Sequence, residues 1–265
     1  MEAPTLLARK ESPIHTEPRP PCHPAGKSLV RWIPHGVFFC RTSSDVLVFD
    51  IRKDKYFSIS HQHINCLEAC VVGFARENTK DRSTIRQSPL DTDPQILTSL
   101  ERRGLLTACP DEGKAFSPIE LPCVDISKSA AMCERQPRVK VADIIAVTRC
   151  WVKAKTALRF KTLQIVLDTL KSQRELCTEQ RTLTAPDELF AIFHSVRSML
   201  FRSEDQCLPI AIALKLFMLT HGVCPTLVIG VSADPFAAHS WLQMDRVAFD
   251  AHPEKLDYLR PIYVG

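Results

Sequence analysis

The chain has 265 residues, of which 45% are hydrophobic and 24% charged, with a formal net charge of +4. That length exceeds the roughly 100–150 residues of a usual single domain, so two domains are expected, and the composition excludes wholesale disorder. The small, dispersed positive charge gives no argument for nucleic acid, and eleven cysteines without a CxxC pair fit reduced cytoplasmic thiols better than a secreted disulfide scaffold.

Residues 1–30 hold Pro4, Pro13, Pro18, Pro20, Pro21 and Pro24 with few bulky apolar side chains, the composition of an unpacked tail. No signal-peptide apolar core and no membrane span is expected, since the most apolar helix is interrupted by Lys215. From Val37 the pattern turns to period two: Val37-Phe38-Phe39-Cys40, Val46-Leu47-Val48-Phe49 and Tyr56-Phe57-Ser58-Ile59. The connections between these runs are short and polar, which predicts a three-stranded antiparallel meander.

Ile64, Leu67, Cys70 and Val71 then repeat at helical spacing, and Asp93-Pro94 starts a second helix carrying Ile96, Leu97 and Leu100, ended near Gly104. Together these make a small winged-helix-like domain over 31–108. Residues 109–138, with Pro110, Pro118, Pro122 and Pro137, read mainly as linker. Cys66 and Cys70, one helical turn apart, read as core, and no metal site is expected.

The second domain, 139–265, opens on a helical period from Val139 to Ser172 that fits one long helix or two abutting ones. The basic residues from Arg149 to Lys161 are most simply its wet face. A further helix starts at Pro186-Asp187. Helices followed by strands indicate an α+β fold.

Asp205-Gln206-Cys207-Leu208-Pro209 precedes the apolar run Ile210–Leu219, and proline is tolerated only in the first turn of such a helix, so Cys207 sits at its amino terminus. There the peptide dipoles favour the thiolate. His221-Gly222 closes the helix. The strand Thr226–Val231 follows, then two runs, Ala238–Gln243 and Arg246–Asp250, that read as a hairpin. If Met244-Asp245 forms a two-residue turn, His239 lies directly opposite Asp250, at a Cβ separation of roughly 4.5–5.5 Å. Met-Asp is a poor sequence for the favoured turns, and a longer turn alters the pairing. A thiolate, a proton donor and an orienting carboxylate are the parts of acyl transfer, with Cys207 as nucleophile, His239 as base and Asp250 as orienting group.

These residues, with Leu227–Val231, Pro235-Phe236, Ala238-His239-Ser240-Trp241 and the closing Asp250, resemble the lasso-peptide maturation B proteins over about Arg202–Pro253. The resemblance implies a papain-like, transglutaminase-type cysteine peptidase with a Cys-His-Asp triad. The front domain is similar to the precursor peptide recognition element of such proteins. There a leader peptide adds as a strand beside a helix, which makes Tyr56, Phe57 and Ile59 on the strand and Ile96, Leu100 and Arg103 on the helix leader-binding residues. The implied function is hydrolysis of the leader–core bond of a ribosomal lasso precursor, ahead of macrolactam closure by a separate asparagine-synthetase-like cyclase. No cofactor is evident in this chain; ATP enters, if required, through the cyclase. The alternatives are a noncatalytic leader-presenting scaffold, an acyltransferase using the same triad, and a winged-helix DNA regulator, for which Arg102 and Arg103 alone are thin.

Overall fold

The computed structural model describes residues 30–42, 45–74, 94–124, 137–177, 185–200, 206–251 and 256–265. The tail to residue 29 and residues 125–136 of the expected linker lie outside them. The architecture is mixed helix and sheet, with three antiparallel sheets among the described residues.

The front of the molecule is the expected meander: β2 (Val37–Arg41), β3 (Asp45–Asp50) and β4 (Lys55–Ser60), in the order β2-β3-β4. The register Phe38↔Phe49↔Tyr56 and Phe39↔Val48↔Phe57 follows from the alternation of the sequence, since neighbours across a sheet share a face. One face, with Val37, Phe39, Val46, Val48 and Ile59, buries against α1 (Ile64–Cys70) and α2 (Pro94–Arg102) through Leu67, Cys70, Leu97 and Leu100. The other face, with Cys40, Leu47 and Phe49, belongs to the core of the rear half. Both faces are therefore covered, which is why these strands read as nearly continuous apolar runs rather than as a clean alternation.

The β3–β4 turn does more than reverse the chain. Asp50 is fully buried and accepts from Arg52 Nε and Nη2, both at 2.8 Å. Burial raises the Asp50 pKa, and Arg52 outweighs it, so the carboxyl lies below its ordinary value. Arg52 Nη2 also donates to the Gly104 carbonyl at 2.7 Å, and Lys53 Nζ to the Arg103 carbonyl at 2.6 Å. The hairpin loop thus caps the carboxyl end of α2, where the last carbonyls lack helical partners.

The stretch read as linker is packed over its described part. Residues 113–114 form β5, which pairs with β1 (Ile33–Pro34), and Phe116 N–H donates to the Val72 carbonyl at 2.8 Å. Farther on, the Pro122 carbonyl accepts from Gln243 Nε2 at 2.8 Å, and Leu121 and Val124 cover the rear sheet. An extended, proline-rich segment that crosses from one half to the other has no periodicity to betray it.

The helical period from Val139 resolves into two helices, α3 (Val141–Phe160) and α4 (Leu163–Cys177), separated at Lys161, whose φ of −122° and ψ of 154° are extended. α5 (Pro186–Leu200) and α6 (Cys207–Thr220) complete the helical layer. Every residue from Ile210 to Met218 of α6 is buried, which accounts for a helix apolar all round. Its one cation, Lys215, is fully buried and donates to the Gly265 carbonyl at 2.7 Å. The rear sheet contains β6 (Thr226–Ala233), β7 (Phe236–Met244), β8 (Val247–Phe249) and β9 (Arg260–Val264), in the order β8-β7-β6-β9. The sequence reading missed β9. No helix among the described residues is long and apolar enough to cross a membrane.

Candidate active site

Cys207 is the first residue of α6. Ile210 N–H already bonds the Gln206 carbonyl at 3.1 Å and Pro209 has no N–H, so the Cys207 and Leu208 amides are left outside the helical ladder. Gln206 does not cap them with its side chain, because Gln206 Oε1 accepts from Lys155 Nζ of α3 at 2.8 Å. The helix start therefore presents two amide donors outside the helical ladder beside the sulfur, the arrangement needed to receive an oxyanion.

The hairpin that positions His239 departs from the expected register. The pairs are Leu242↔Phe249, Gln243↔Ala248 and Met244↔Val247, so the turn is Asp245-Arg246 and not Met244-Asp245. Asp245 adopts a positive φ of 49°, a conformation an aspartate enters at far lower cost than a methionine. Chemistry at the turn thus shifts the pairing, and Asp250 falls just past the end of β8 instead of opposite His239. β7 consequently has no β8 partner from Phe236 to Trp241.

Cys207 occupies that open edge. The His239 ring and the Ser240 main-chain N–H both act on its sulfur. Burial alone raises a thiol, as it does for Cys40 and Cys70, both pushed up to about 11, and for Cys150. Burial acts on Cys207 as well. There, the His239 ring, Ser240 and the His239 charge together outweigh it and bring the thiol down to about 7. The buried Ser240 hydroxyl acts by proximity, since it completes no hydrogen bond by ordinary distance and angle limits.

His239 is raised from its ordinary value, first by its hydrogen bond to Cys207, against burial, and further by the Cys207 charge, the Asp250 carbonyl and the Asp250 charge. A lowered thiol beside a raised imidazole is the electrostatic signature of a thiolate–imidazolium pair. His239 Nε2 faces the Asp250 carbonyl at 3.3 Å, which leaves Nδ1 for the sulfur. The Asp250 carboxylate instead accepts from Arg197 Nη1 of α5 at 2.7 Å. Asp250 has φ 62°, and this left-handed bend turns its carbonyl toward the imidazole. In this conformation the aspartate orients His239 with its main chain, while its carboxylate acts through space.

Of the residues expected to bind a leader, Tyr56 faces the rear half. Its ring stacks on Phe49 at 4.3 Å and meets Phe236 of β7 at 5.6 Å between centroids. Phe57 and Ile96 are half-buried against the front core, Ile59 and Leu100 lie within it, and Arg103 is exposed beyond α2. The outer edge of β4 carries no paired strand among the described residues. Sequence reasoning missed Arg197, which stands next to the core residue Val196 in an ordinary amphipathic period, and the hydroxyl of Ser240. No pattern in the chain marks either.

Residues 150–264 match the transglutaminase-like superfamily, whose members are Cys-His-Asp cysteine peptidases or acyltransferases. The match spans most of the helical layer and the whole rear sheet and contains Cys207, His239 and Asp250. No curated protein and no solved structure matches the chain.

Proposed function

We propose that this chain is a cysteine peptidase that binds the leader of a ribosomal lasso-peptide precursor and hydrolyses the leader–core bond, so that a partner cyclase can close the macrolactam. The observation that carries the catalytic part is the Cys207 thiol brought down to about 7 by His239 and Ser240 at the open edge of β7. At neutral pH about half of such a thiol is thiolate.

The thiolate attacks the scissile carbonyl, and the oxyanion meets the Cys207 and Leu208 amides. Collapse of the tetrahedral species breaks the C–N bond, with the His239 imidazolium giving its proton to the leaving amine, the new amino terminus of the core. The leader remains as a thioester on Cys207. Water then attacks that carbonyl, His239 taking its proton, and the leader departs as a free acid as the thiolate is restored.

Leader binding is supported by the outer edge of β4, unpaired among the described residues, where a peptide can add by main-chain hydrogen bonds. The same strand holds Tyr56 against Phe236 of β7, the strand that carries His239. An acyltransferase differs only in using an amine in place of water in the second step. The reading assigns the protein to the cytoplasm, with the precursor and an asparagine-synthetase-like cyclase as partners and any ATP consumed by the cyclase.

The test is mass spectrometry of the precursor incubated with the protein, cyclase and ATP, comparing wild type with Cys207→Ala. Cleavage at one leader–core bond by wild type alone, giving a free leader acid, is the expected result. Lasso formation with both proteins makes the chain a leader-presenting scaffold, and an amidated or cross-linked leader makes it an acyltransferase.

A further inference from the structure

We infer that Trp241 is a positioning residue for the site: its indole lies beside the His239 imidazole and is tethered through Gln243 to the Pro122 carbonyl, on the segment that crosses from the front half. The inference rests on the reading of His239 as the partner of the Cys207 sulfur.

Trp241 and His239 stand two apart on β7, so their side chains leave the same face of the strand. The two rings are nearly parallel, 17° apart in plane with centroids at 6.4 Å, within the range of offset aromatic pairs. β6 makes room for the indole. The residue paired with His239 there is Gly230, and a Cβ on it would meet the indole Cη2 and Cζ3 at 2.7 Å, so the ring fills the place of the missing side chain. An imidazole turns easily about its outer torsion. His239 is half-buried and held at one ring nitrogen by the Asp250 carbonyl at 3.3 Å, and the indole beside it limits the rotation that this single contact leaves.

The indole is itself fixed. It is buried with Val228, Ala251 and Leu259, and Leu121 and Val124 pack against the same cluster. Its Nε1–H donates to Gln243 Oε1 at 3.3 Å, while Gln243 Nε2 donates to the Pro122 carbonyl at 2.8 Å and to the Asp245 carbonyl at 2.9 Å. An indole N–H only donates and a carbonyl only accepts, so these contacts admit one orientation of the amide and use both of its hydrogens. Gln243 is 4% exposed, and turning it would strand buried polar groups. The tether thus ends at two fixed points, the β7–β8 turn and the proline-rich crossing segment.

The test uses the full chain and the pH dependence of Cys207 alkylation by iodoacetamide, followed by peptide mass mapping. Trp241→Leu and Gln243→Leu should each raise the midpoint by about 0.5–1, which slows alkylation at pH 7 about two- to fivefold. Trp241→Phe, which keeps a ring beside the imidazole, should shift it less. In a His239→Ala background neither leucine substitution should move the midpoint further, because the effect passes through that ring. A midpoint unmoved by both leucine substitutions, or the same shift without His239, overturns the positioning role and leaves the peptidase reading intact. A second measurement leaves Trp241 and Gln243 unchanged. An adjacent imidazolium quenches indole emission, so wild-type tryptophan fluorescence should rise with pH as His239 loses its proton; absence of any step that His239→Ala removes overturns the ring contact. A wild-type Cys207 that titrates at the ordinary 9.0 removes the thiolate–imidazolium pair and overturns both readings.

Discussion

Among the described residues, the front sheet leaves the outer edge of β4 unpaired along Lys55–Ser60, and the rear sheet leaves β7 without its neighbour β8 from Phe236 to Trp241. Chemically the two edges are alike: each is a row of main-chain donors and acceptors with no strand across from it among the described residues. They differ in what stands beside them. β4 is flanked by apolar and polar side chains with no titrating nucleophile, so the peptide groups themselves are what it offers. At β7 the start of α6 brings a sulfur to the edge, and one main-chain donor that would otherwise bind a strand or water stabilises a thiolate instead. An edge can serve recognition or chemistry, and the selecting feature is the helix terminus that packs against it.

The largest expected effect separates the two edges completely. Cys207→Ala should lower precursor cleavage by about 10⁴-fold or more. The same variant should bind a fluorescent leader peptide with wild-type anisotropy, because β4 lies in the other sheet. Equal loss of both in a folded variant would merge the edges into one site.

Next comes the pH dependence of the rear edge. The rate of Cys207 alkylation by iodoacetamide should rise with pH to a plateau with its midpoint at about 7, since only the thiolate reacts. In His239→Ala the midpoint should move up, because burial then acts with less to oppose it. Turnover of the precursor should fall by about 10²- to 10⁴-fold as the proton donor is lost. A midpoint unmoved by His239→Ala would mean the helix start and Ser240 alone set the thiol.

A smaller effect probes how the edge is kept in place. Gly230 pairs with His239, and a Cβ there would meet the Trp241 ring at 2.7 Å. Gly230→Ala should therefore destabilise the fold by about 1–3 kcal/mol in urea unfolding and slow turnover by displacing β7. Smallest is Arg197→Ala, which frees the Asp250 carboxylate. About 1 kcal/mol of stability and a severalfold drop in turnover are expected, with Arg197→Lys restoring part of each. Full activity in Arg197→Ala would show that the Asp250 main chain suffices to orient His239.

The elements of both sheets were mostly legible where side chains alternate, and α2, α5 and α6 where proline marks the first turn. Gly222, expected to close α6, has φ 77°, as a left-handed cap requires. The hairpin register was not legible, because it turns on whether Met244 or Asp245 enters positive φ, a choice of local cost that hydrophobic pattern does not report. β9 was hidden because Arg260-Pro261 interrupts its apolar run and its pairing with β6 shifts register between Ile229 and Gly230. For the site, Cys207 and His239 were readable from a helix start and a strand. Arg197 came from a helix whose pattern speaks only of packing, and the aspartate's use of its carbonyl depends on one backbone bend.

A sulfur held off the open edge of a strand faces the place where another strand would run. A bond arrives there only if the residues around it are extended and their own peptide groups unclaimed, since helices and interior strands have already committed theirs. The geometry thus acts as a filter on foldedness before any side chain is read. Under the proposed function a flexible precursor tail passes it, whereas proteins whose chains are already paired do not.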